Sequence, residues 1–201
     1  MPASQPARLI ATTEAESAPP IPSSLRRIVL TGFMGAGKST VGRLLAARLG
    51  WNFVDLDDHI ETRAGATIPD IFSLHGEPYF RRLESSALAS ALGASHTVLA
   101  LGGGAPEEIT NRLLIEQTPA TLAVFLDAPF PMLFDRCMLQ EIARPVLADP
   151  AEAELRFARR RPFYSRMARV TVDTSGLSPE QTIDAILAGI ESQITPQSSG
   201  Q

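Results

Sequence analysis

Eight consecutive residues, Gly32-Phe33-Met34-Gly35-Ala36-Gly37-Lys38-Ser39, fit the pattern GxxxxGK[ST], and Thr40 follows them. Glycines at these intervals let a backbone turn tightly and aim successive N–H groups inward, and a helix opening behind the turn adds partial positive charge. Such a nest offers preformed donors to phosphate oxygens, so the nucleotide-binding set expected here is Gly35, Ala36, Gly37, Lys38, Ser39 and Thr40. Lys38 brings an ammonium to the β and γ phosphates of a triphosphate such as ATP, which makes it a binding and a catalytic residue together. The Ser39 hydroxyl suits the shell of a Mg2+ ion that keeps several waters. Lys38 is also the only lysine in a chain with many arginines, so a general bias in basic residues does not account for it. The competing reading is an accidental glycine-rich turn, against which stand the apolar run before the loop and the helical pattern after it.

Asp55-Leu56-Asp57-Asp58 closes another short apolar run. At the carboxyl end of a strand these carboxylates face the ligand crevice of an open α/β sheet. In an extended segment Asp55 and Asp57 point to the same side, which assigns Asp55 to the metal through water and Asp57 to the acceptor hydroxyl as catalytic base. Helix capping by Asp57 or Asp58 competes with this, since acidic residues favour helix starts, and for Asp57 the residues alone leave both readings open. Further on, Gly76-Glu77-Pro78-Tyr79-Phe80-Arg81-Arg82-Leu83-Glu84 opens a helix with a basic pair. Arg81 can offer forked donors to a substrate carboxylate, and Glu84 one turn later can orient them. After Leu101, the run Gly102, Gly103 and Gly104 leaves room for a flat polyol against backbone N–H groups. Arg144-Pro145 and Arg159-Arg160-Arg161-Pro162 are ambiguous by themselves, because arginine runs are commonly solvated helix faces.

Positioning these groups calls for strands that end together. Short apolar or β-branched runs at 27–31, 52–55, 97–101, 121–126 and 170–172 alternate with longer helical stretches, the order of βαβ units. The fold class expected is α/β, a P-loop NTPase-type three-layer α/β/α domain with a five-stranded parallel sheet. A helix over 38–49 should stop at Gly50, Gly65 and Gly93 mark further stops, and Ser178-Pro179 marks a start. Residues 145–151 read as a loop before an Arg-rich helix over 153–167, within a mobile lid around 138–150. The domain spans 25–192, between a disordered leader 1–24 and a polar tail 193–201.

With 44% hydrophobic and 20% charged residues, the chain can bury an ordinary core. A net charge of -4 gives no global attraction for nucleic acid or an anionic membrane surface, so an anionic ligand needs a local site. The longest apolar stretch is broken by Asp127 and prolines, well short of the about 20 residues a bilayer needs. A single cysteine, Cys137, excludes an internal disulfide and suits a reducing, cytoplasmic setting. The leader has no apolar core of signal-peptide length, and Glu14 and Glu16 against one Arg8 argue against a plastid transit peptide. A monomer is expected.

Taken in order, GFMGAGKST (32–40), DLD (55–57), GEPYFRRLE (76–84), LGGGA (101–105), ARP (143–145) and RRRPFY (159–164) resemble the shikimate kinase family across nearly all of 26–192. The cradle is shared by many nucleotide enzymes, whereas the order DxD, FRRxE, GGG, RP is narrow. The resemblance implies ATP and shikimate as substrates, with transfer of the γ-phosphoryl group to the 3-hydroxyl. It implies that Asp57 positions that hydroxyl, that Arg81 and Arg160 grip the shikimate carboxylate, and that Gly103 makes a backbone contact to the ring. It also makes Arg144 the lid arginine that reaches the nucleotide phosphates and lets Pro179 pack against the base. Two departures stand out: 138–143 lacks the extra basic residues common in the family's lid, and Leu177 stands where some relatives carry arginine. The rival readings are a gluconate-type kinase and a nucleotide-binding regulatory module without transfer activity.

Overall fold

The computed structural model describes residues 21–139 and 149–194. Five strands form one sheet: β1 (Arg27–Thr31), β2 (Asn52–Asp55), β3 (Thr97–Ala100), β4 (Thr121–Asp127) and β5 (Val170–Asp173). Their order is β2-β3-β1-β4-β5 and every pairing is parallel, with Arg27 level with both Thr97 and Thr121. The loops that leave β2, β3 and β1 therefore emerge side by side at the carboxyl edge, where ligands of open α/β sheets sit.

The apolar runs are short and nearly continuous because both sheet faces are covered. Ile28 and Leu30 of β1 join one buried cluster with Leu45, Ile186 and Ile190. Val29, pointing the other way, joins Leu88, Leu99 and Ile115 in a second. The first cluster packs α1 (Lys38–Leu49) and α8 (Pro179–Ile194), the second α2 (Leu56–Ala64), α3 (Ile68–His75), α4 (Glu77–Leu92) and α5 (Ile109–Gln117). A 3-10 turn at Ala105–Glu107, α6 (Phe130–Leu139) and α7 (Pro150–Met167) complete the order. Three layers, α/β/α, are the result. The described chain opens with Ile21 packed against the first cluster.

Gly50 and Gly65 end their helices in the left-handed region, at φ 64° and 65°, whereas Gly93 caps α4 in the right-handed one. Ser178 Oγ accepts from Gln181 N at 3.2 Å, as an N-cap should. The expected loop over 145–151 is corrected at its end, because Asp149 Oδ1 accepts from Ala151 N and Glu152 N and Pro150 already opens α7. A proline costs a helix nothing at that position, where its missing N–H would have had no partner. Residues 140–148, which hold Arg144 and most of the expected lid, lie outside the described residues. Among the described residues no helix is long and apolar enough to cross a membrane.

Candidate functional site

The loop from Gly32 to Gly37 turns tightly between β1 and α1, with φ 147° at Gly32, 77° at Gly35 and 85° at Gly37. A Cβ on Gly35 would lie 2.3 Å from Leu133 O and 2.9 Å from Cys137 Sγ, so α6 packs directly on the loop. Gly37 caps α1 without a side-chain acceptor, and no acidic residue stands in the first turn, which leaves the dipole and first-turn amides for an anion. Lys38 Nζ donates to Gly32 O at 2.9 Å and Phe33 O at 3.0 Å, holding its ammonium against the loop it serves. Beside the loop opens a cavity of about 330 Å³ lined by Gly35, Ala36, Gly37, Thr40, Arg136, Leu177 and Pro179. Pro179, far from the loop in sequence, is thus brought to it. Arg136 was not anticipated: it donates to Thr174 Oγ1 at 3.1 Å and Thr174 O at 2.9 Å.

The acidic segment differs from the extended arrangement expected of it. The strand ends at Asp55, whose Oδ1 accepts from Asp57 N at 3.1 Å, so Asp55 caps α2 and Asp57 sits in its first turn. Capping is therefore real, and it falls on Asp55 rather than on Asp57 or Asp58, because the capping position precedes the helix. Asp55 Oδ2 also accepts from Ser39 Oγ at 2.5 Å. One carboxylate thus joins the phosphate loop to the start of α2.

Around Asp57 the glycine run and the α4 arginine converge. A Cβ on Gly102 would lie 2.6 Å from Asp57 Oδ1 and 3.5 Å from Glu84 Oε1, and one on Gly104 would lie 2.7 Å from Arg81 Nη1. None of Gly102, Gly103 and Gly104 has a positive φ, so these glycines serve close approach and not a special turn. Arg81 donates to Glu84 Oε2 at 2.8 Å and, through Nε and Nη2, to Glu77 Oε1 at 3.2 and 2.9 Å. Burial pushes the Glu84 carboxyl up to about 7, with Arg81 pulling it back and the Asp57 charge adding to the rise. Burial works to lower the Arg81 pKa, but Glu84 and Glu77 carry it above its ordinary value.

From α7, Arg160 reaches the same glycine run, its Nη1 lying 3.7 Å from where a Gly103 Cβ would stand. Its Nε and Nη2 both meet Glu107 Oε1 at 2.7 Å, and Arg159 Nη2 meets Glu107 Oε2 at 3.0 Å. Tyr164, one turn after Arg160, donates to Gly103 O at 2.6 Å. Burial raises the Tyr164 pKa far above the ordinary phenol value, so it stays a donor. Glu107 and Tyr164 carry no local signal of such contacts, since each partner lies more than fifty residues away in the chain. The geometry thus gathers Lys38, Ser39, Asp55, Asp57, Arg81, Gly102, Gly103, Gly104 and Arg160 at one sheet edge, from the starts of α1 and α2, the glycine run, α4 and α7, with basic groups for anions at both ends. A phosphate cradle beside a carboxylate and two arginines can bring a nucleotide and a small anionic alcohol together.

A family model described as shikimate kinase matches residues 34–191. The shikimate kinase of Persephonella marina is 39% identical over 167 residues, covering 83% of this chain and 99% of its own. Shikimate kinase from Acinetobacter baumannii in complex with shikimate is similar in structure, with a TM-score of 0.79 at 35% identity, covering 86% of this chain and 96% of that one. A gluconokinase from Sinorhizobium meliloti shares the fold alone, at a TM-score of 0.53 and 19% identity, covering 83% of this chain and 92% of that one.

Proposed function

The chain belongs to the shikimate kinase family, and from that premise we propose that it moves the γ-phosphoryl group of ATP to the 3-hydroxyl of shikimate. The products are ADP and shikimate 3-phosphate, on the way to aromatic amino acids. The observation that carries the reading is the double engagement of Asp55, with Ser39 of the cradle at 2.5 Å and the backbone of Asp57 at 3.1 Å. Donor and acceptor groups so tied can meet in line, and positioning is most of what phosphoryl transfer asks of a protein.

In this division of work Gly35, Ala36, Gly37, Ser39 and Thr40 cradle the phosphates, and Lys38 offsets the charge that shifts between the β and γ groups. Pro179 and Arg136 bound the nucleoside end of the neighbouring cavity. Arg144 is the lid group closing on the phosphates, on the family pattern alone. Asp57 accepts the hydrogen bond of the reacting hydroxyl and takes its proton late in the transfer, so orientation outweighs strong basicity. Arg81 and Arg160 hold the substrate carboxylate, and Gly102, Gly103 and Gly104 let the ring approach the backbone.

The residues present fit a Mg2+ ion accompanying ATP. Ser39 and Asp55 converge as hard oxygen ligands, the class this ion prefers. Among the described residues no group of three or more His, Cys, Asp or Glu forms a metal cage, and Mg2+ needs none when waters and phosphates supply most ligands. When bound it offsets negative charge on the phosphate oxygens. We assign the reaction to the cytoplasm and to a monomer, without nucleic acid or membrane, in keeping with a net charge of -4.

The test is ADP release with Mg-ATP and a panel of shikimate, quinate and gluconate. Turnover should require shikimate; equal or faster turnover on gluconate overturns the assignment.

A further inference from the structure

Resting on the shikimate-binding role of Arg160, we infer that Glu107 is a positioning residue that decides which edge of that guanidinium meets the substrate. A guanidinium is a rigid fork of donors, and a carboxylate can be gripped by either of its edges. Here Glu107 Oε1 occupies the Nε and Nη2 edge at 2.7 Å for both contacts. The end carrying Nη1 is left toward Gly103 and holds no hydrogen bond among the described residues. Substrate therefore meets Arg160 end-on. With its side chain only 9% exposed, Arg160 has little freedom to turn another way.

Glu107 can do this because its own backbone is pinned. Arg112 Nη1 donates to the carbonyls of Pro106 and Glu107, Asn111 Nδ2 donates to Ala105 O at 2.9 Å, and Glu107 N donates to Gly104 O at 2.9 Å. The brace thus stands on a fixed turn directly after the glycine run. Arg159 shares the second oxygen, so two arginines and one carboxylate leave a local charge that still favours an anion. Arg81 is held in the same manner, its Nε and Nη2 on Glu77 Oε1. The Glu77 side chain is 64% exposed, against 21% for Glu107, and its hold is correspondingly screened.

Reach and charge separate in two variants. Glu107→Gln keeps the length and an acceptor oxygen but loses the charge; Glu107→Asp keeps the charge but falls one methylene short of Arg160, and the pinned turn cannot follow. Steady-state rates with shikimate and with ATP varied, alongside thermal unfolding, give the readout. The Asp variant should raise KM for shikimate about tenfold, the scale of one lost charge-assisted hydrogen bond, with kcat and the KM for ATP within about threefold. The Gln variant keeps an acceptor for Arg160 but turns an NH2 toward Arg159, so its KM for shikimate should rise less than that of the Asp variant, with kcat and the KM for ATP within about threefold. An unchanged shikimate KM in the Asp variant, a Gln variant as impaired as Asp, or an equal rise in both KM values overturns the inference. An Asp variant that does not fold makes Glu107 a structural group and overturns it too. Absence of shikimate-dependent ADP release in the parent chain would instead refute the underlying functional reading.

Discussion

Gly102→Ala and Gly104→Ala, two residues apart, should damage the reaction in different ways. Gly102 has no positive φ, so alanine meets no backbone strain there and its effect is steric alone. Its Cβ would stand 2.6 Å from Asp57 Oδ1, and ordinary contact begins at 3.4 Å, so the carboxylate must retreat by about 0.8 Å. A displacement on the order of 1 Å at a reacting group costs up to about 100-fold in rate, so kcat should fall by roughly 10- to 100-fold. Stability should change little, by about 1 kcal/mol, because the clash falls on a side-chain tip and not on backbone. In Gly104→Ala the clash falls instead on Arg81, at 2.7 Å from Nη1 and 2.8 Å from Nη2. There the KM for shikimate should rise about tenfold while kcat holds within about threefold. Coupled ADP-release kinetics with each substrate varied, beside thermal unfolding of both variants, would measure this split. A Gly102→Ala enzyme with kcat within about twofold of the parent would refute the placement of Asp57 at the acceptor hydroxyl.

Lys38→Ala and Asp57→Asn should each lower kcat by at least about 100-fold with smaller effects on shikimate KM, measured in the same assay. Arg81→Ala and Arg160→Ala should raise shikimate KM by at least about tenfold and leave ATP binding, followed by calorimetry, near the parent value. Glu84 gives a pH prediction. Its folded pKa of about 7 lies above the ordinary 4.5, so its contribution to stability is full below about 4.5 and is lost as pH rises through about 7. Between about pH 5 and about pH 8 the parent should lose on the order of 1–3 kcal/mol relative to Glu84→Gln in urea unfolding; parallel pH profiles would contradict the burial-driven shift.

Some features were legible in the letters because they are local. The phosphate cradle is built from the backbone of one contiguous turn, so Gly32 through Ser39 carry its geometry within themselves. Strand runs and the Gly50 and Gly65 stops follow from periodicity and from the one residue that tolerates a left-handed cap, and the sheet has the five parallel strands expected. The Arg81–Glu84 pair was readable for the same reason, being one helical turn apart.

Tertiary structure alone decided that Asp55, the local cap of α2, also meets Ser39 of the phosphate loop, 16 residues away. It alone decided that Glu107 braces Arg160 from 53 residues away and that Tyr164 holds the Gly103 carbonyl from 61. Arg136 likewise reaches the nucleotide-side cavity only through the packing of α6 beside Thr174. The reason is physical: a turn or a helical face is specified by neighbours in the chain, whereas the choice of a partner for a charged side chain depends on which distant elements the buried sheet brings alongside it.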